Sequence, residues 1–62
     1  MHTVTISKNG ELFLRLEGPD AFPVTNNAAA IIGINRVELL EIEHDGGAMS
    51  VNGLEVDYTV SA

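Results

Sequence analysis

The sequence predicts an α+β domain of about five antiparallel β-strands in the order ββαβββ, with one short α-helix packed on the apolar face of the sheet. Three observations predict it. Asp45-Gly46 and Asn52-Gly53 are residue pairs suited to two-residue hairpin turns, in which both central positions take positive φ. Apolar and polar residues alternate over residues 2–7, 12–16 and 54–60, the period of a half-buried strand. Between these lies Thr25-Asn26-Asn27-Ala28-Ala29-Ala30-Ile31-Ile32-Gly33, which carries a capping residue, small helix formers and a terminating glycine.

In chain order, His2, Val4 and Ile6 share one side of the first strand and Thr3, Thr5 and Ser7 the other. The second strand sets Leu12, Leu14 and Leu16 against Phe13 and Arg15. A two-residue Asn9-Gly10 turn would pair Ile6 with Phe13 and put the leucines on the threonine side. A three-residue loop, Lys8-Asn9-Gly10, pairs Ile6 with Leu12 and Val4 with Leu14 and keeps one face apolar, so it is the expected connection.

Gly18-Pro19-Asp20-Ala21-Phe22-Pro23 then turns the chain, and Phe22 is expected to tuck under the core. Thr25 is expected to cap a helix over residues 26–32. A helix barely two turns long is unstable alone, so Ile31 and Ile32 must pack on something. Residues 36–43 are ambiguous, because the apolar alternation slips by one between Leu39 and Leu40. A β-bulge absorbs the slip, while a helix suits the local preference of Glu and Leu. The turn that follows favours the strand, which turns residues 36–60 into a three-stranded meander. Its register then follows: Ile42 opposes Met49, which opposes Val56, and Leu40 opposes Val51, which opposes Leu54.

Sixty-two residues make a single domain, 1–62, with no internal repeat or linker. A chain of this size buries only about 60% of its unfolded surface, and with no cysteine it has no disulfide to help. The N-terminus lacks a signal peptide's basic and apolar regions, and no stretch reaches the length of a membrane span, so a cytoplasmic protein is expected. Nine acidic residues against Lys8, Arg15 and Arg36 give a net charge of −6. That balance opposes direct binding to nucleic acid or anionic lipid and favours a basic partner.

No reactive constellation accompanies the charge. Glu43 and His44 would point to opposite faces of a strand, no Ser or Cys nucleophile is partnered with a base, and the glycines sit in turns rather than in a phosphate cradle. The expected protein is not an enzyme and needs no cofactor. His2 and His44 lack metal-ligand spacing, and carboxylates two strands apart, about 9.6 Å, do not share an ion.

The meander instead predicts an acidic face. Glu41, Ser50 and Glu55 form one row across it, and Glu43, Ala48 and Asp57 the next. Glu41 to Glu43 and Glu55 to Asp57 are each two residues apart along a strand, about 6.8 Å, a spacing suited to arginines set for successive phosphates. Glu38 and Asp45 are candidates to extend this partner-binding surface.

A very short, cysteine-free, strongly acidic, hairpin-built chain resembles the small phage and mobile-element inhibitors of bacterial defence, in particular the acidic anti-CRISPR proteins, among them inhibitors of type I-C systems. The resemblance covers the whole chain in size and charge and carries over Glu41, Glu43, Glu55 and Asp57 as members of the acidic surface. It implies a non-catalytic inhibitor in the bacterial host cytoplasm that presents a DNA-mimic-like surface to a Cas subunit of a type I CRISPR complex and blocks target DNA. The alternative is a structural or interaction module that homodimerises or binds a protein partner through a sheet edge or Phe13. Of the two states, a monomer is expected ahead of a homodimer.

Overall fold

The structure, a computed structural model, describes residues 1–61, apart from the side chain of Asp45. It is α+β. Four strands, β1 (His2–Lys8), β2 (Glu11–Gly18), β3 (Gly47–Val51) and β4 (Leu54–Val60), form one antiparallel sheet in the order β2-β1-β4-β3. Two helices, α1 (Ala21–Ile32) and α2 (Leu40–Asp45), are linked through a 3-10 turn at Arg36–Leu39. The expected five strands and single helix are therefore corrected to four strands and two helices, in ββααββ order.

The correction originates in residues 36–45, which are helical rather than a bulged strand. Leu39 and Ile42, three residues apart, are the buried positions, while Val37 and Leu40 face out. The slip at Leu39-Leu40 is thus helical periodicity. Asn35 opens the turn with a capping box, its side chain accepting from the Glu38 N–H while the Glu38 carboxylate accepts from the Asn35 N–H at 3.3 Å.

The first hairpin is also corrected. Asn9 and Gly10 adopt φ of 52° and 82°, a two-residue turn, and Lys8 pairs with Glu11. The phase is repaired further along, where Ser7 pairs with Leu12 and Ile6 with Leu14, leaving Phe13 as a bulge. Val4 then pairs with Leu16, so Leu14 and Leu16 meet the apolar face. Leu12 does not join them and is 65% exposed. The second hairpin has the expected Asn52-Gly53 turn and register, Met49 with Val56 and Val51 with Leu54.

Helix α1 begins at Ala21, several residues before the expected start, because Pro23 falls in the first turn, where a missing N–H costs nothing. Thr25 is consequently inside the helix rather than its cap. Gly33 ends it with φ 89°, its N–H and that of Ile34 both donating to the Ala29 carbonyl. Buried Ala28 and Ala29 let the helix lie close to the sheet. Ile31 and Phe22, both expected to pack inward, are exposed.

The core combines Val4 and Ile6 from β1, Val56 and Tyr58 from β4, Val24, Ala28 and Ala29 from α1, and Leu39 and Ile42. Both helices lie on that side of the sheet. The pleat turns Thr3, Thr5, Ser7, Glu55, Asp57 and Thr59 of the central strands to the opposite, uncovered face. No helix among the described residues is long and apolar enough to cross a membrane.

Candidate functional site

The uncovered face carries two of the six residues expected in the acidic surface, Glu55 and Asp57. Glu55 and Asp57 are exposed on β4, opposite Ser50 and Ala48 on β3, as expected. On their other side stand Ser7 and Thr5 of β1, while Glu41 and Glu43, expected beyond Ser50 and Ala48, are in α2 and β3 is the sheet edge. The rows are therefore Leu12-Ser7-Glu55-Ser50 and Arg15-Thr5-Asp57-Ala48. Two neighbouring carboxylates in the middle of the sheet are flanked by short neutral side chains. The cation on this face, Arg15, pairs with Glu17 at 3.2 Å on its own strand.

Glu41, Glu38 and Glu43 are elsewhere. Glu41 is exposed on α2, beyond the helix-covered side of the sheet, and Glu38 is exposed while closing the capping box. Asp45's contribution lies outside the described residues. Glu43 turns inward and is not part of an exposed surface, since its side chain is 16% exposed and ion-paired with Arg36.

That pair belongs to a polar cluster that strand reasoning missed. Arg36 Nη2 donates to Glu43 Oε1 at 2.5 Å and Oε2 at 2.8 Å, and its Nε donates to Thr25 Oγ1 at 3.1 Å. The Thr25 hydroxyl has Glu43 Oε2 at 2.9 Å and the Ala21 carbonyl at 3.0 Å as acceptors. The guanidinium also lies over the Phe22 ring, 4.7 Å from its centroid, which explains how an exposed phenylalanine is held. The signal in the sequence was the seven-residue interval from Arg36 to Glu43. In a strand these side chains point to opposite faces about 23 Å apart, whereas two helical turns align them.

Beside the cluster, His2 Nδ1 and Tyr58 Oη are hydrogen-bonded at 2.5 Å. Burial raises the pKa of the Tyr58 phenol, the Glu43 charge adds to the rise, and Arg36 opposes it. His2, Glu43, His44 and Tyr58 line a cleft of about 430 Å³ with Ala21, Leu40 and Val60. Two of its polar groups are already engaged, Glu43 by Arg36 and Thr25, and Tyr58 by His2. Glu43 and His44 thus share a cleft, contrary to the expectation from a strand, with the Glu43 carboxylate ion-paired to Arg36. Among the described residues, no three His, Asp or Glu side chains stand together as a metal site.

The larger electrostatic result concerns the surface. With Arg36 partly buried in its ion pair, Lys8 and Arg15 are the exposed cationic side chains among the described residues. Against them stand exposed Glu11, Glu17, Asp20, Glu38, Glu41, Glu55 and Asp57. No protein-family model matches the chain, and comparison with curated proteins and with solved structures likewise found no match.

Proposed function

We propose that this protein is a non-catalytic inhibitor that presents an acidic, DNA-mimic-like surface to a basic nucleic-acid-binding site of another protein. The observation that carries this reading is the adjacent pair Glu55 and Asp57 at the centre of an uncovered sheet face, with small neutral neighbours on both sides. Their spacing along β4, about 6.8 Å, suits arginines or lysines arranged for successive phosphates. Short flanking side chains leave room for long cationic ones to reach the carboxylates and form charge-assisted hydrogen bonds. The surrounding negative charge steers a basic partner towards the face.

The resemblance to acidic anti-CRISPR proteins directs this reading to a Cas subunit of a type I effector complex in the cytoplasm of a bacterial host. Occupation of its DNA-binding surface blocks target DNA. The test is a gel-shift competition between the protein and target DNA for a purified type I-C complex, at low and high salt. DNA binding is expected to fall as the protein is added and to recover with salt. The double variant Glu55→Gln/Asp57→Asn is expected to lose inhibition while keeping its fold, and full inhibition by that variant would overturn the reading.

A further inference from the structure

We propose that two copies of this chain pair through β2, antiparallel and centred on Leu16, to make one continuous eight-stranded sheet. The surface and register come from the β2 edge alone and do not depend on the inhibitor reading.

Strand β2 is an edge of the sheet, with β1 on one side only. The Phe13 bulge divides it, leaving residues 14–18 in one-to-one register with β1, from Ile6 with Leu14 to His2 with Gly18. Such an edge offers a row of unpaired backbone groups to another strand. When two identical edges join around an axis perpendicular to the sheet, facing residues must share a side of the pleat, so a residue at the centre faces its own copy.

Centring on Leu16 fits in three ways. First, it uses the whole regular segment, facing Leu14 with Gly18, Arg15 with Glu17, and Leu16 with itself. The next positions outward are the Phe13 bulge and Pro19, which has no N–H, so the two features that end a ladder face each other at both ends. Second, it puts Arg15 opposite Glu17 of the second copy twice over. Centring on Arg15 or on Glu17 instead sets like charges face to face.

The third observation is on the helix side. A cleft of about 230 Å³ opens there between β2 and α1, with Leu16, Gly18, Pro19, Pro23 and Val24 in its lining. Leu14 and Leu16 are only half-buried within one copy. In this register Leu16 of the second copy comes beside Leu16 at the cleft. Leu14 of the second copy faces Gly18, which presents no side chain, and reaches the Val24 wall.

The experiment is multi-angle light scattering over a concentration series, with circular dichroism to confirm folding, on the wild type, Arg15→Glu, Glu17→Arg and the double reversal. The wild type is expected to approach twice the 6.6 kDa chain mass as concentration rises. Each single reversal places like charges opposite and is expected to raise the dissociation constant about tenfold or more, consistent with close charge pairs at interfaces. The double reversal restores opposite charges and is expected to restore the dimer. Because the chain has no cysteine, mild oxidation of mixed Arg15→Cys and Glu17→Cys proteins reads the register directly. The mixed cross-link is expected to exceed either self cross-link. A wild type that stays monomeric at millimolar concentration, a dimer indifferent to the single reversals, or preferential self cross-linking would overturn the proposal.

Discussion

Arg36 and Glu43 meet across two helical turns, one guanidinium nitrogen donating to both carboxylate oxygens at 2.5 and 2.8 Å. Through Thr25, the same guanidinium ties this helical segment to α1. The pair is a tertiary clasp made of local sequence, with side chains 25% and 16% exposed.

Removing one partner strands the other in a poorly hydrated position. Glu43→Ala is expected to cost about 2 kcal/mol, the range for hydrogen bonds to charged groups. In a domain this small that lowers Tm by roughly 8–16 °C. Glu41→Ala, one turn-face away and exposed, is expected to stay within about 0.5 kcal/mol. Thermal unfolding of the two variants side by side checks the difference, and equal Tm values would mean the clasp holds nothing.

Tyr58 makes stability depend on alkaline pH. Its folded pKa is raised above the ordinary 10.0, chiefly by burial, so the folded protein keeps the phenolic proton where the unfolded chain loses it. This contribution is fully present below pH 10 and is lost as pH rises through the folded pKa. Tyr58 is the single tyrosine, so phenolate absorbance follows it directly. Tyr58→Phe is expected to remove this part of the alkaline slope and, by losing the His2 hydrogen bond, to cost about 1 kcal/mol at neutral pH.

The first hairpin turn needs a left-handed residue before its glycine. Asn9, at φ 52°, is one of the residue types that tolerate this conformation, and Asn9→Ala is expected to cost about 1–2 kcal/mol. Asn9→Gly relieves the steric strain and is expected to be milder. Urea unfolding midpoints order the three proteins.

Gly18 is fixed by packing instead. A Cβ there would stand 2.9 Å from Val24 Cγ2, and Val24 is buried between α1 and the sheet. Gly18→Ala is expected to cost about 1–3 kcal/mol through overpacking. Its cost in a Val24→Ala background is expected to be smaller, because the clashing methyl is gone, and a double-mutant cycle measures that coupling.

What the sequence made legible was local and periodic. The Asn52-Gly53 turn fixed which residues face each other in the second hairpin, which is why Glu55, Asp57, Ser50 and Ala48 stand together as expected. The first hairpin was harder, because an extra loop residue and a bulge both shift the apolar phase by one. Alternation therefore located a one-residue irregularity without saying whether it sat at Lys8 or Phe13. Residues 36–45 were misread because the short run Leu39-Leu40-Glu41-Ile42 satisfies both a bulged strand and a helical turn. The deciding contacts run to Thr25, in another element. With that segment assigned to the sheet, Glu41 and Glu43 were placed on a face they do not occupy.

The pairing of β1 with β4 has a consequence for synthesis. The two strands at the middle of the sheet are the first and the last of the four, so Val4 and Ile6 find Tyr58 and Val56 only after β4 has left the ribosome. Until then β1 is itself an open edge with an apolar face, and the emerging β1-β2 hairpin is exposed to capture by other nascent chains. The step that closes the sheet spans nearly the whole sequence, which makes it a slow contact to form.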